Sequence, residues 1–251
     1  MTETLAPLPR DSPRPAAPTA PRRRRRLVTV VAPLLVVALA AGALVWRPWR
    51  SAPALADLGT TPSYRLIDQN NRVVTSAQFA GKLQIVSFLF PFCTTYCPYT
   101  THQLATLEQR LQKTGLADRV QFVAFNLGPG DSTPADMAAY LQQYGVDPAD
   151  ARWSFLTGTP NAVAKVVREG FGVRYDRVNL SDEPAGPDGV GAVPVQPNAL
   201  AEAKHVDYDI VHNEVIDLVT PDGHIRGTFD GVADITGDDL YGAVTRLLAA
   251  S

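Results

Sequence analysis

Three short apolar runs constrain the fold more than anything else in this chain: Leu83–Phe90 (LQIVSFLF), Val120–Phe125 and Trp153–Leu156. Each is too short for a buried helix, and the first is bounded by Gly81 and Pro91, so all three read as buried strands. The stretches between them have helical spacing. Leu104, Leu107 and Leu111 predict a helix over about Cys97–Lys113. Thr133-Pro134, a capping hydroxyl before a first-turn proline, opens a second helix that ends near Gly145. Asn161–Glu169 reads as a third, followed by a short extended piece at Val173–Tyr175. Strands alternating with helices imply an α/β sheet covered on both faces. A hairpin precedes this core, Tyr64–Ile67 and Arg72–Thr75 around Asp68–Asn71, and a second follows it, Val215–Val219 and Ile225–Phe229 around Pro221-Asp222-Gly223. Asp238–Ala249 closes the chain as an amphipathic helix. Arg177–Asp207, rich in Pro, Gly, Asp and Ala, has no periodicity and reads as a functional loop or a disordered one.

The first fifty residues are of a different kind. Residues 1–21 hold six prolines and two leucines, too little apolar surface to offset ordering. Arg22–Arg26 then abut Leu27–Trp46, twenty residues without a charge and enough to span a bilayer as a helix. Trp46 and Trp49 stand where interfacial aromatics stand, and the arginine run orients the N-terminus inward. The expected organisation is a cytoplasmic tail (1–26), a transmembrane anchor (27–46), a tether (47–62) and one globular domain (63–251) on the extracytoplasmic side of the cell membrane. A cleaved signal peptide is the competing reading, but its apolar core is shorter; a twin-arginine signal is a further option. Residues 1–50 carry nine of the 23 basic residues and two of the 25 acidic ones. The remainder, with 14 basic and 23 acidic residues, is a body of charge −9 and a poor nucleic-acid binder.

Both cysteines, Cys93 and Cys97, lie where the first strand meets the first helix (FPFCTTYCP). Ligands bind beyond the carboxyl ends of such strands, and a helix N-terminus lowers a thiol's pKa. At i and i+4 the sulfurs lie one helical turn apart, able to close on a soft metal or to oxidise to a disulfide. A purely structural disulfide closing so short a loop would stabilise the chain weakly. Of the four histidines, His102 is rotated away from the cysteines, His205 lies in the irregular segment and His224 beside a turn. His212 follows the long loop and just precedes the strand near Glu214, so loop movement could bring it over the cysteines. The residues by themselves leave open whether it is a ligand or a surface histidine.

Together these segments resemble the Sco family of copper proteins, also called SenC-type, which serve cytochrome c oxidase assembly. The resemblance runs from about Leu66 to Leu248. It rests on SFLFPFCTTYCP, on DYDIVHNEVIDLVTPDG, on GPGDSTPADMAAYLQQYG, and on WSFLTGTP followed by FGVRY. It implies a thioredoxin-like three-layer sandwich, with Cys93, Cys97 and His212 binding copper as Cu(I) or Cu(II). The chain departs from the family in Thr-Thr-Tyr between the cysteines, where an acidic residue is frequent, and in a longer Arg177–Asp207 segment. Asp131 and Asp136 are candidates for tuning the site.

Two functions follow. The first is a membrane-anchored metallochaperone passing copper to the copper-bearing subunit of cytochrome c oxidase, or to another copper protein. The second is an extracytoplasmic thiol–disulfide oxidoreductase, with Cys93 and Cys97 as redox pair, reducing a partner's copper-ligand cysteines. Thioredoxin-like reductants resemble one another in C-x2-C spacing and a proline before the facing strand; this chain has C-x3-C and His212. A peroxidase pattern P-x3-T-x2-C is missed by one residue. The histidine therefore favours the metal reading over the enzymatic one.

Overall fold

A computed structural model describes residues 56–179, 198–235 and 238–250. The expected tail and anchor lie outside the described residues, among which no helix is long and apolar enough to cross a membrane. One compact unit runs from Leu55 to Ser251.

Its centre is a five-stranded sheet. β1 (Arg65–Ile67) and β2 (Val73–Thr75) form the first hairpin, outside that sheet. Their turn is set by Asp68, whose carboxylate accepts from the amides of Asn70 and Arg72, both at 2.8 Å. β3 (Leu83–Leu89), β4 (Val120–Asn126) and β5 (Trp153–Leu156) are parallel, with Leu83 opposite Val120 and Phe122 opposite Trp153. Every residue of the three strands is buried, as strands covered on both faces must be. This is why they read as continuous apolar runs. Helix α1 (Tyr96–Lys113) joins β3 to β4, and α2 (Pro134–Gln143) joins β4 to β5. The start of α2 is a reciprocal cap, in which the Thr133 hydroxyl accepts from the Asp136 amide (3.2 Å) and the Asp136 carboxylate from the Thr133 amide (2.9 Å). Phe122 stacks on Trp153 at 4.6 Å, and the Trp153 indole donates to buried Glu108 at 2.8 Å.

After β5 the single expected helix is two elements, α3 (Pro160–Ala164) and a π turn, Lys165–Gly170. The next strand begins later than expected, as β6 (Tyr175–Asn179). The supposedly irregular Arg177–Asp207 therefore starts inside a strand, and it also contains a helix, α4 (Ala199–Lys204). β7 (Tyr208–His212) pairs antiparallel with β6, Tyr175 opposite His212, in a two-stranded ribbon separate from the main sheet. β8 (Val215–Val219) and β9 (Ile225–Asp230) complete the sheet in the order β5-β4-β3-β8-β9, and α5 (Asp238–Ala250) ends the chain.

Part of the expected tether is fixed to the body. The Leu58 amide donates to the Ile225 carbonyl and the Ile225 amide to that of Gly59, at 2.9 and 2.8 Å. Thr60 bridges His224.

Candidate functional site

Cys93 lies in the loop after β3, its amide turned back onto the Phe90 carbonyl at 3.0 Å. Cys97 is the second residue of α1. Both cysteines are free and buried. The loop needs a close approach at Gly128, where a Cβ would stand 2.4 Å from the Phe90 ring. Thr95 occupies the N-cap of α1, but its hydroxyl does not cap the helix. It donates to Asp209 at 3.2 Å, and its oxygen lies 3.3 Å from the Cys93 sulfur. Asp209, buried in β7, also accepts from the amides of Thr94 (3.4 Å) and Ile210 (2.7 Å). The β7 strand is thus bonded directly to the segment between the two cysteines.

A second clamp is Asn198. Its side-chain amide donates to the carbonyls of Pro91 (2.9 Å) and Cys93 (2.7 Å), while its oxygen accepts from the Ala201 amide and caps α4.

His212 is the last residue of β7 rather than a loop residue before a strand. No loop movement is needed to bring it over the cysteines: its Nε2 already lies 3.8 Å from the Cys97 sulfur, with the side chain 2% exposed. Nδ1 lies 2.9 Å from the Asn213 carbonyl and donates to it, which leaves the Nε2 lone pair facing the site. Glu214 Oε1 stands 3.1 Å from the same nitrogen.

The electrostatics are those of neutral groups crowded by negative charge. Burial holds the His212 imidazole below its ordinary pKa, against the Asn213 carbonyl and the Asp209 carboxylate, which favour the cation. Burial first, then the charges of Asp209 and Asp230, push Glu214 up to about 8. The Glu214–His212 approach at 3.1 Å is therefore a contact between two groups that burial drives toward their neutral forms, not an ion pair. The Cys97 thiol is pushed well up by its hydrogen bond with Cys93, by burial, and by the negative charges of Cys93, Glu214 and Asp209. This corrects the expectation that the helix N-terminus lowers the pKa of both thiols, since at Cys97 burial and like charges win.

The structure brings Cys93, Cys97 and His212 together. The other histidines stand apart: His102 is exposed on α1, His205 ends α4 in the left-handed region (φ 50°), and His224 pairs with Asp57 at 3.0 Å. Asp131 faces Arg177 at 3.5 Å and Asp136 faces Lys204 at 2.9 Å. The acids beside the sulfurs are Asp209 and Glu214, which the sequence reading passed over. Their signal was an acid within an apolar strand (Tyr-Asp-Ile-Val) and a second two residues past the histidine, since buried carboxyls need partners. Asn198 had a signal too, standing as an N-cap residue before Ala-Leu-Ala-Glu-Ala-Lys.

Chemically the site offers two sulfurs and one imidazole nitrogen. Ligand bonds of about 2.3 Å to sulfur and 2.0 Å to nitrogen, at trigonal to tetrahedral angles, set S and N roughly 3.5–3.7 Å apart. The Cys97–His212 separation of 3.8 Å is close to that. Among the described residues no three His, Cys, Asp or Glu side chains are already closed around one point, so an ion would draw the set inward.

Comparison with known proteins agrees with this geometry. The chain is 22% identical over 177 residues to the SCO1 protein homolog of Bacillus subtilis, covering 70% of this chain and 77% of that one. The solved structure of Bradyrhizobium japonicum ScoI with copper bound superposes with a TM-score of 0.55 at 22% identity, over 76% of this chain and 99% of that one. BsSco, described as a member of the Sco family of cytochrome c oxidase assembly proteins with a disulfide switch, superposes at 0.57 with 19% identity, over 80% and 100%. At these identities the likeness establishes a shared thioredoxin-like fold. The SCO1/SenC family model matches residues 54–190, a span that includes both cysteines and stops short of His212. Because that span is more than half of the 251 residues, the chain belongs to the SCO1/SenC family.

Proposed function

We propose that this protein is a membrane-anchored copper carrier. It takes one copper ion on Cys93, Cys97 and His212 outside the cytoplasm, and passes it to the copper-bearing subunit of a cytochrome c oxidase during assembly. The observation that carries the metal part is the buried approach of the Cys97 sulfur to the unprotonated Nε2 of His212, at 3.8 Å, beside the Cys93 thiol. Two soft sulfurs and an imidazole suit Cu(I) and can hold Cu(II). Relatives described as copper-bound and as oxidase assembly proteins support the cargo and the recipient. The uncharged run Leu27–Trp46 behind Arg22–Arg26 supports the anchor and its orientation. Loading displaces thiol protons, so affinity rises with pH.

The alternative, reduction of a partner's disulfide, uses the same dithiol. Exchange needs an accessible thiolate, whereas both cysteines are buried. That observation weighs toward the carrier.

Anaerobic Cu(I) titration of the full chain in detergent tests the reading. One equivalent binds, and Cys93→Ser, Cys97→Ser or His212→Ala each weakens binding by more than the ~10–100-fold typical of outer partners. Stoichiometric copper retained by the double serine variant overturns it. Labelling of intact cells with a membrane-impermeant amine reagent, read at the exposed Lys113 and Lys165, tests the topology. Labelling that appears only on lysis would place the domain in the cytoplasm.

A further inference from the structure

The two acids beside the sulfurs differ in how fully they are used. Asp209 accepts three hydrogen bonds, from Thr94, Thr95 and Ile210. Glu214, with its side chain 20% exposed, has among the described residues one side-chain partner, the Nε2 of His212. That is the one imidazole nitrogen free to take a metal, because the other is committed to the Asn213 carbonyl. Glu214 is also braced against the cysteine helix. Its carbonyl accepts from the Gly231 amide at 2.7 Å, and the Gly231 carbonyl accepts from the Thr100 hydroxyl, three residues past Cys97 on α1.

We propose that Glu214 is a fourth, oxygen ligand to the ion held by Cys93, Cys97 and His212, and that it tilts the site toward Cu(II). The assignment rests on the copper reading above. An ion at Nε2 removes the partner of a mostly buried carboxyl, and leaving such a group unpaired is costly. Coordination restores a partner. Nitrogen and oxygen ligands on bonds of about 2.0–2.1 Å, at roughly 95–110°, lie about 3.0–3.4 Å apart. The observed separation is 3.1 Å. A carboxylate is a hard donor beside two soft ones, and adding its charge to two thiolates favours the dication over the monocation. The step is ligand exchange with no electron transferred: as the ion binds, the Glu214 proton and the two thiol protons leave to solvent.

The full chain in detergent is loaded with Cu(II) or, anaerobically, with Cu(I), in wild type, Glu214→Gln, Glu214→Ala and Glu214→Asp. Cu(II) is followed by its thiolate charge-transfer absorption and electron paramagnetic resonance, and Cu(I) by competition with a chromophoric chelator. The expected result is at least a tenfold loss of Cu(II) affinity in the Gln and Ala variants. Their Cu(II) spectra are altered, their Cu(I) affinity stays within about threefold, and the Asp variant is partly restored, on the scale of ~10–100-fold for groups around a metal. A tenfold selective loss raises the Cu(II)/Cu(I) potential by about 59 mV. Unchanged Cu(II) spectra and affinity overturn the assignment. So does an equal loss in both states, which would make Glu214 an orienting group for His212. Tighter binding of both ions would show a competitor for Nε2 and overturn it likewise. Failure of the wild-type chain to take up either ion would instead overturn the copper reading, and this assignment with it. Far-UV circular dichroism of each variant separates misfolding from ligand loss.

Discussion

Cys93 and Cys97 follow β3, a strand buried along its whole length and paired on both sides by β4 and β8. His212 ends β7, a strand of a two-stranded ribbon outside the main sheet, and Glu214 lies in the link from β7 to β8. A two-stranded ribbon is marginal by itself; this one is held at the site by Asp209 on Thr94 and Thr95, and by Tyr208 packed on Phe90 at 5.5 Å. The sulfurs are therefore positioned by the fold, and the nitrogen and oxygen donors by a handful of side-chain contacts. The two halves of the site are expected to fail separately.

The largest effect lies in the sheet. Trp153→Ala removes a fully buried ring stacked on Phe122 and the donor to Glu108, and should cost about 3–5 kcal/mol in a urea melt. Hydrogen exchange should rise throughout β3, β4 and β5. A loss below about 1 kcal/mol would mean that the sheet does not anchor the cysteine loop as described.

Asp209→Ala acts on the ribbon. It leaves the Thr95 hydroxyl and the Thr94 amide without their acceptor, a penalty of about 1–3 kcal/mol. Faster amide exchange is expected in Tyr208–His212 with β3 and β4 still protected. Equal acceleration in all three strands would show that ribbon and sheet open as one unit.

The third effect is a pH dependence, read locally in the link from β7 to β8. Glu214 is raised from about 4.3 in an unfolded chain to about 8 in the folded one. The folded state then holds the proton more tightly, so this contribution to stability is fully present below pH ~4.3 and is lost as pH rises through about 8. His212 has the opposite sign. Its folded pKa is depressed, so its contribution is present above about 6.5 and is lost as pH falls. Exchange of the Asn213–Val215 amides should accelerate between pH ~4 and 8 beyond the intrinsic rate. Glu214→Gln should abolish that excess and keep the loss at low pH; an unchanged profile would show that the carboxyl does not titrate there.

The same contrast decides what could be read from the sequence. Leu83–Phe90, Val120–Phe125 and Trp153–Leu156 were legible as strands because burial on both faces leaves a short, mostly apolar run. Thr133-Pro134 was legible because capping is local. The cysteines followed from their place at a strand–helix junction. β6 and β7 were not legible as a ribbon: Tyr-Asp-Arg-Val-Asn and Tyr-Asp-Ile-Val-His mix buried and exposed residues without clean alternation, and their pairing spans more than thirty residues of chain. Asp209 and Asn198 act on Thr94, Thr95, Pro91 and Cys93, more than a hundred residues away along the chain, where spacing carries no information.

The bonds from Leu58 and Gly59 to Ile225 bear on where the chain can be cut. β9 is the outer strand of the sheet, and unpaired backbone at such a position is a template for association with another chain. The segment entering from the N-terminal side occupies the beginning of that strand with main-chain hydrogen bonds. A chain begun at Ser63 would keep the complete site and lose this cover, opening the edge to self-association, whereas one begun at Asp57 would keep both site and seal.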